Sequence, residues 1–357
     1  MSTETRWAVL GTGGIATAFV TCAPHAASTR VTAVISRTQA SARAFAERFA
    51  IPHASDDLAA TLAREDVDAL YVATPHPMHE EPVRLALEAG IPVLCEKPMT
   101  MTAATSRTLC DLAHERGTFL MEALWMRFVP AVREAKRLIA EGRIGKPTRL
   151  CAEFTIYAPF DSPDFGAGHR LYAPELGGGA LHDLGVYPIH AALHFLGRPD
   201  EVTGSWQAAP TGVDASADLR FSYDDGRQAY LTCGFGGQSD GSGANLCIVE
   251  GEDGSIVLDA TFIGAERLWI VPNAIAPLFG FGKSGGATAA FRRLARSMSL
   301  PGIERIDLPY PDNGLQFETE AAGVAIREGS IEHPLAPHAD TIAALEIIEE
   351  VLAQPSA

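Results

Sequence analysis

The chain has 357 residues, 47% hydrophobic and 20% charged, which excludes a disordered or collagen-like polymer and leaves room for about two domains. Its 28 Lys and Arg against 44 Asp and Glu leave a formal charge of −16, which argues against a nucleic-acid backbone or an anionic membrane as partner. Eleven of those acids and only two arginines lie between Gly302 and Ala357, so that segment alone carries −9.

Trp7–Leu10 is a short apolar run, as a parallel strand buried on both faces requires. Gly11, Gly13 and Ala16 then fit G-x-G-x-x-A, and a helix begins at Ile15 and runs to Cys22. Gly11 permits a tight turn, Gly13 lets backbone approach a pyrophosphate, and Ala16 allows helix to pack on strand. With Gly14 and Ile15 at the helix N-terminus, whose free N–H groups attract anions, these residues form a candidate dinucleotide cradle. A second strand, Val31–Ile35, ends at Ser36 and Arg37. An NAD enzyme usually has an acid here for the ribose 2′-hydroxyl, whereas a hydroxyl and a guanidinium suit a 2′-phosphate. NADP is therefore expected over NAD, although a solvated loop would also begin with such an arginine.

The strand–helix rhythm continues with strand Ala69–Val72, helix Glu80–Ala89, strand Pro92–Cys95, helix Ala103–Arg116 and strand Phe119–Met121. This alternation predicts a doubly wound parallel sheet binding ligands beyond its strand C-termini, where Thr74, Pro75, His76, His79, Glu96 and Lys97 fall. His76 and His79 lack a third ligand candidate nearby, so no metal is expected. Lys97 is a candidate acid–base or charge-stabilising group; burial would lower its pKa and Glu96 would raise it, so its charge stays open. A surface lysine before a proline turn would read the same way.

A second constellation lies in Gly177–Pro188. If a helix starts after the glycines, Asp183 and Tyr187 are four apart and share a face, with Pro188 expected to kink it. A tyrosine hydroxyl within reach of a lysine suits alcohol oxidation, where a proton leaves oxygen as hydride leaves carbon. The same spacing also serves ordinary packing.

The segments GTGGIA, ATPHPMH, LEAGIPVLCEKP and GGGALHDLGVYPI, in that order over residues 6 to 190, resemble the glucose–fructose oxidoreductase/inositol dehydrogenase/rhizopine-catabolism family. MEALWMRFVPA and RLYAPELGGGALHDLGVYPI are similar to its subgroup of NADP-dependent dimeric dihydrodiol dehydrogenases and D-xylose 1-dehydrogenases. The resemblance implies an α/β chain with a Rossmann domain at 1–124. A substrate-binding and dimerisation domain at 125–357, α+β with an open-faced, mostly antiparallel sheet, would follow. It implies Lys97 and Tyr187 as the catalytic pair with Asp183 in support, and Trp125, Arg127 and Phe154 on the substrate side. Trp125 as core, and Arg127 as a structural partner of a carboxylate, remain open. Inositol dehydrogenases carry histidine where this chain has Tyr187, which points away from inositol. The implied activity is NADP-linked hydride transfer to or from a small sugar or polyol, at the anomeric hydroxyl of an aldose or at a vicinal trans-diol. Reduction of a keto-sugar or sugar nucleotide, and a non-catalytic cofactor-sensing regulator, are the alternatives.

Alternating stretches at Cys151–Tyr157, Val202–Gln207, Asp218–Tyr223, Ala229–Cys233, Ala244–Glu250, Ser255–Ala260 and Leu268–Val271 predict the second sheet independently. Asp224-Asp225-Gly226 and Glu252-Asp253-Gly254 mark hairpins. A sheet face without helices needs cover, so a homodimer through sheet faces is expected. Residues 276–300 are expected to form a mobile lid, with a basic helix at Thr288–Met298 and Phe279 against substrate. Asp340–Leu352 predicts a helix with an apolar stripe and Glu346, Glu349 and Glu350 on its solvated face. The six cysteines form no Cys-x-x-Cys, the N-terminus carries no apolar signal core, and no run has the roughly 18 apolar residues of a membrane span. Reduced thiols and a cytoplasmic address are expected.

Overall fold

Strands β1 (Thr5–Leu10), β2 (Thr29–Ile35), β3 (His53–Ser55), β4 (Ala69–Val72), β5 (Val93–Glu96) and β6 (Leu120–Ala123) form a sheet in the order β3-β2-β1-β4-β5-β6. Every pairing in it is parallel. The order reverses beside β1, and such a switch point opens a crevice at the strand C-termini. The computed structural model to which this sheet belongs describes residues 4–237, 245–259, 261–274 and 302–356. The lid expected at 276–300, with Phe279 and the helix Thr288–Met298, lies outside the described residues, as do the expected strand ends Ala244 and Ala260.

Both sheet faces are dry, as uninterrupted apolar strands require. Trp7, Val9, Tyr71, Leu94 and Met121 enter one core with Phe19 of α1 (Gly14–Cys22) and Phe45 of α2 (Gln39–Phe49). Ala8, Leu70, Val72, Val93 and Cys95 enter the other with Val83 of α4 (Glu80–Glu88) and Leu109 of α5 (Ala103–Arg116), beyond the short α3 (Leu58–Leu62). Helix starts are capped locally: Thr38, Asp57 and Thr102 accept the N–H of Ser41, Ala60 and Thr105. The short strand β3 and helices α2 and α3 carry no pattern strong enough to be marked beforehand.

The second sheet orders β14 (Glu304–Asp307), β13 (Arg267–Val271), β12 (Ser255–Leu258), β11 (Cys247–Gly251), β7 (Pro147–Thr155), β10 (Gln228–Gly234), β9 (Asp214–Ser222) and β8 (Glu201–Ala208). Only β7 and β10 pair in parallel; the rest are antiparallel. Helix α6 (Pro130–Ala140) packs on β12 and β13, and α7 (Val186–Leu196) on β7, β10 and β11. The hairpin expected around Asp224–Gly226 joins β9 to β10, and the one around Glu252–Gly254 joins β11 to β12.

The chain divides into two compact units, residues 1–128 with 311–346, and residues 129–310 with 347–357. The expected division has one boundary, after residue 124, whereas the first unit here takes in two segments. The difference lies in α8 (Leu315–Arg327), which returns to the first sheet. Its Ala322 and Ala325 enter the core beside Trp7 and Tyr71, Glu320 accepts from the Ser28 hydroxyl at 2.6 Å, and Arg327 donates to the Thr5 hydroxyl at 2.7 Å. The last helix, α9 (His338–Leu352), continues past the division. Its Glu349 and Glu350 are exposed as expected, but Glu346 is half-buried and paired with Arg107 at 2.7 Å.

Candidate active site

The glycine turn joins β1 to α1. Gly11 has φ 121°, and a Cβ there would fall 2.4 Å from the Ala73 carbonyl oxygen, so backbone conformation and space both require glycine. Around a Cβ on Gly13 or Gly14 nothing lies within 4 Å, which leaves the turn open for a ligand to approach the backbone. Helix α1 starts at Gly14 with no side-chain cap on its N-terminus, Ile15 is exposed, and Ala16 is buried against the sheet. Its first N–H groups are thus available to an anion. At the end of β2 the Ser36 and Thr12 hydroxyls lie 3.4 Å apart, and Arg37 is exposed beyond them. The open glycine turn and the uncapped helix start leave the strand end accessible to a dinucleotide pyrophosphate. Gly11→Ala is expected to cost about 1–3 kcal/mol of stability through backbone strain, and to abolish nucleotide binding. A thermal melt and a fluorescence titration with NADPH check this.

At the C-terminal ends of β4 and β5, Thr74 and His76 are half-buried and Pro75 is exposed. His79, expected on the cofactor side, is fully buried. Its ring nitrogens lie 2.8 Å from the Thr74 carbonyl and 3.0 Å from the Pro98 carbonyl, so it ties together the two loops that form this edge. Burial lowers its pKa, against those backbone contacts. Glu96 is also interior: it accepts from the Tyr71 hydroxyl and, at 3.2 Å, from the Lys97 backbone N–H. Burial pushes its carboxyl up to about 7, opposed by the Tyr71 hydrogen bond and the Lys97 charge. Lys97 itself is half-buried at the strand end. Trp125 is half-buried in the turn after β6. Arg127, the last residue of that turn, is fully buried and donates to the Leu335 carbonyl at 3.0 Å and to Asp340 at 2.7 Å. Its partner is thus a carboxylate of the same unit, the structural alternative left open by the sequence.

In the second unit, the glycines lead into one π-helical turn, Leu181–Gly185, and then α7. Pro188 lies in the first turn of α7, and the wider turn before it takes the place of the expected kink. Asp183 and Tyr187 are both buried, at 5% and 7% exposure. Arg170 donates to Asp183 at 3.0 Å, and the Tyr187 ring stands edge-on to Phe154 with centroids 5.3 Å apart. The structure thus brings Tyr187 and Phe154 together from residues well separated in the chain.

Asp214, at the start of β9, is a site-supporting residue that the sequence did not mark. Its carboxylate accepts the Leu181 N–H at 2.6 Å and so holds the N-terminus of the turn carrying Asp183. Burial raises it to about 7, opposed by that N–H. Gly179, at φ 128°, makes room: a Cβ there would fall 2.3 Å from Asp214 Oδ1. An aspartate opening a strand has no local signature of this task, so only the fold reveals it. Among the described residues no cluster of three metal-ligating side chains occurs.

The family model described as an oxidoreductase family with an NAD-binding Rossmann fold matches residues 5–124, and the GFO/IDH/MocA C-terminal domain matches residues 132–257. D-xylose 1-dehydrogenase (NADP(+)) of Hypocrea jecorina is 30% identical over 98% of this chain and 91% of its own. Trans-1,2-dihydrobenzene-1,2-diol dehydrogenase of Mus musculus is 28% identical over 97% and 95%. The scyllo-inositol 2-dehydrogenase (NADP(+)) IolU of Bacillus subtilis is 29% identical over 98% and 96%, so resemblance does not set this chain apart from inositol enzymes. The solved structure of KijD10, a 3-ketoreductase from Actinomadura kijaniata in complex with NADP and TDP-benzene, is 27% identical, with a TM-score of 0.78 over 98% of this chain and 97% of that one. The cradle after β1, the lysine after β5 and the agreement along both halves lead to one conclusion: this chain belongs to the GFO/IDH/MocA family of NAD(P)-dependent oxidoreductases.

Proposed function

We propose that this protein is an NADP-dependent dehydrogenase acting on the anomeric hydroxyl of an aldose or on a vicinal trans-diol. The observation that carries the reading is the presence, in one chain, of Lys97 directly after β5 and of buried Tyr187 in the first turn of α7, just after the turn that Asp214 holds. A non-catalytic regulator on this fold has no need for that pair. Bound NADP supplies the hydride acceptor. Tyr187 takes the proton of the substrate hydroxyl, and the Lys97 ammonium stabilises charge on the substrate oxygen. Asp183, paired with Arg170, steadies the turn that leads into α7 and Tyr187. Trp125 and Phe154 give the substrate apolar walls. Gly11, Gly13, Gly14, Ile15 and Ala16 hold the pyrophosphate, Ser36 and Arg37 the 2′-phosphate, and Thr74, Pro75 and His76 line the nicotinamide side. His79 and Glu96 act on this edge from beneath.

Two copies associate through the face of the second sheet that carries Arg220 and Tyr230, whose guanidinium and ring lie 5.9 Å apart. Tyr230 is 40% exposed there, in keeping with a surface awaiting cover. The six free cysteines, five of them buried, support a reducing, cytoplasmic setting. No helix among the described residues is long and apolar enough to cross a membrane.

The test is nicotinamide absorbance with NADP or NAD against D-xylose, D-glucose and a cyclic trans-diol. Turnover with NADP on one of them is expected, and none on any would sink the reading. The similarity to a 3-ketoreductase supports a second reading, reduction of a keto-sugar by the same pair in reverse, which NADPH consumption on a keto-sugar would reveal. Arg37→Ala is expected to raise the KM for NADP about tenfold by removing a charge-assisted phosphate contact, and to leave that for NAD unchanged.

A further inference from the structure

Behind Lys97 lies a line of buried ionisable groups that the chemistry above does not use. Tyr71 is fully buried, and its ring stacks on Phe19 with centroids 3.9 Å apart, which fixes where its hydroxyl points. In the β4–β5 register Tyr71 stands opposite Leu94, two residues before Glu96. Side chains alternate along a strand, so Leu94 and Glu96 share a face. The hydroxyl reaches Glu96 Oε1, while Glu96 Oε2 accepts the Lys97 backbone N–H. From α8, Glu318 faces both Tyr71 and Glu96; it is fully buried, and neither of its oxygens has a hydrogen-bond partner. Burial, then the charge of Glu96, hold that carboxyl well above the usual range and hence neutral. The Cys22 thiol of α1 and the Cys95 thiol of β5 are likewise kept neutral by burial. From β6, Glu122 faces Glu96 as a further carboxylate, itself bonded to the Met99 N–H and the Thr341 hydroxyl. In this surrounding Glu96 has a fixed donor on each oxygen and a lysine as its next residue.

We propose that Tyr71 and Glu96 are positioning residues for Lys97: the phenol keeps the Glu96 carboxyl ionised, and that charge keeps Lys97 an ammonium. Removing the phenol's hydrogen bond disfavours the carboxylate, so Glu96 would then hold its proton to a higher pH. A neutral Glu96 no longer favours the ammonium, and more of Lys97 is the free, nucleophilic amine. The role rests on the reading of Lys97 as the acid–base group, but its test needs no turnover.

The test is competitive acetylation of Lys97 in the intact protein by acetic anhydride, followed by the mass of its peptide, from about pH 6 to about pH 10, the approach to the lysine range. In the wild type, the plot of log labelling rate against pH should bend near 7, where Glu96 exchanges its proton. Glu96→Gln, which can still accept from Tyr71 but carries no charge, should speed labelling about tenfold at and above pH 8 and remove the bend. Tyr71→Phe should speed labelling only in an interval just above pH 7, and rejoin the wild type where Glu96 ionises without help. A straight wild-type plot, an unchanged Glu96→Gln, or a Tyr71→Phe effect equal at every pH would each overturn the proposal. Absent dehydrogenase activity with the labelling pattern intact would sink the functional reading and leave this one standing.

Discussion

Lys97→Ala and Tyr187→Phe are each expected to lower kcat by about 10²–10⁴ while NADP still binds, the range lost with one positioned acid or base. The two changes are conservative toward the fold for different reasons. Lys97 is half-buried at a strand end and Lys97→Ala leaves its backbone N–H in place to donate to Glu96, so the strand terminus keeps its hydrogen bond. Tyr187→Phe retains the ring that stands edge-on to Phe154 and removes only the hydroxyl. If the pair acts as one unit, the double variant should be little worse than either single one, because each alone already disables proton transfer. Steady-state kinetics with a separate cofactor titration would distinguish this from loss of binding. Either single variant near wild-type kcat would show that another group moves the proton.

Arg127→Met is expected to destabilise the first unit by about 3–5 kcal/mol, the cost of breaking a buried ion pair by removing one partner. That is a large share of the roughly 5–15 kcal/mol that holds an ordinary domain folded. The guanidinium is fully buried, and burial lowers its pKa against the opposing charge of Asp340, so the pair offsets a large desolvation cost. Removing the arginine leaves Asp340 without that donor, and the Leu335 carbonyl loses one too. Asp340→Asn should cost less, because an amide oxygen can still accept from the arginine. Urea unfolding of the two variants checks the order. If Arg127→Met instead kept its stability and raised the KM for substrate, Arg127 would belong to the substrate wall and not to the framework.

The glycine turn shows how much of the candidate site was legible in the chain. Gly11 and Gly13 lie between an apolar run and the helix that holds Ala16, and the strand–turn–helix order they mark is a local property that the structure shows, although the Ala73 carbonyl that crowds Gly11 comes from a distant strand end. The hairpins at Asp224–Gly226 and Glu252–Gly254 were legible for the same reason, since turn geometry is set by a few consecutive residues. His79 and Glu96 were legible as residues of the strand ends but not in their orientation. Whether a side chain at such an end faces the crevice or the interior depends on what stands beneath it, here the Thr74 and Pro98 carbonyls and the Tyr71 hydroxyl.

The acidic C-terminal segment divides the two kinds of information most clearly. From residues alone came its excess charge, its helix and a surface facing water, because periodicity and composition are local properties. Tertiary structure decided where the acids went. Glu320 receives Ser28, Asp340 receives Arg127, Glu346 receives Arg107, and Glu318 is buried beside Tyr71. These partners come from the first 128 residues, brought close because α8 and the start of α9 pack against the cores of the first unit. Charge pairing at such separation follows from the packing of apolar faces, and no local pattern encodes which acid will meet which cation.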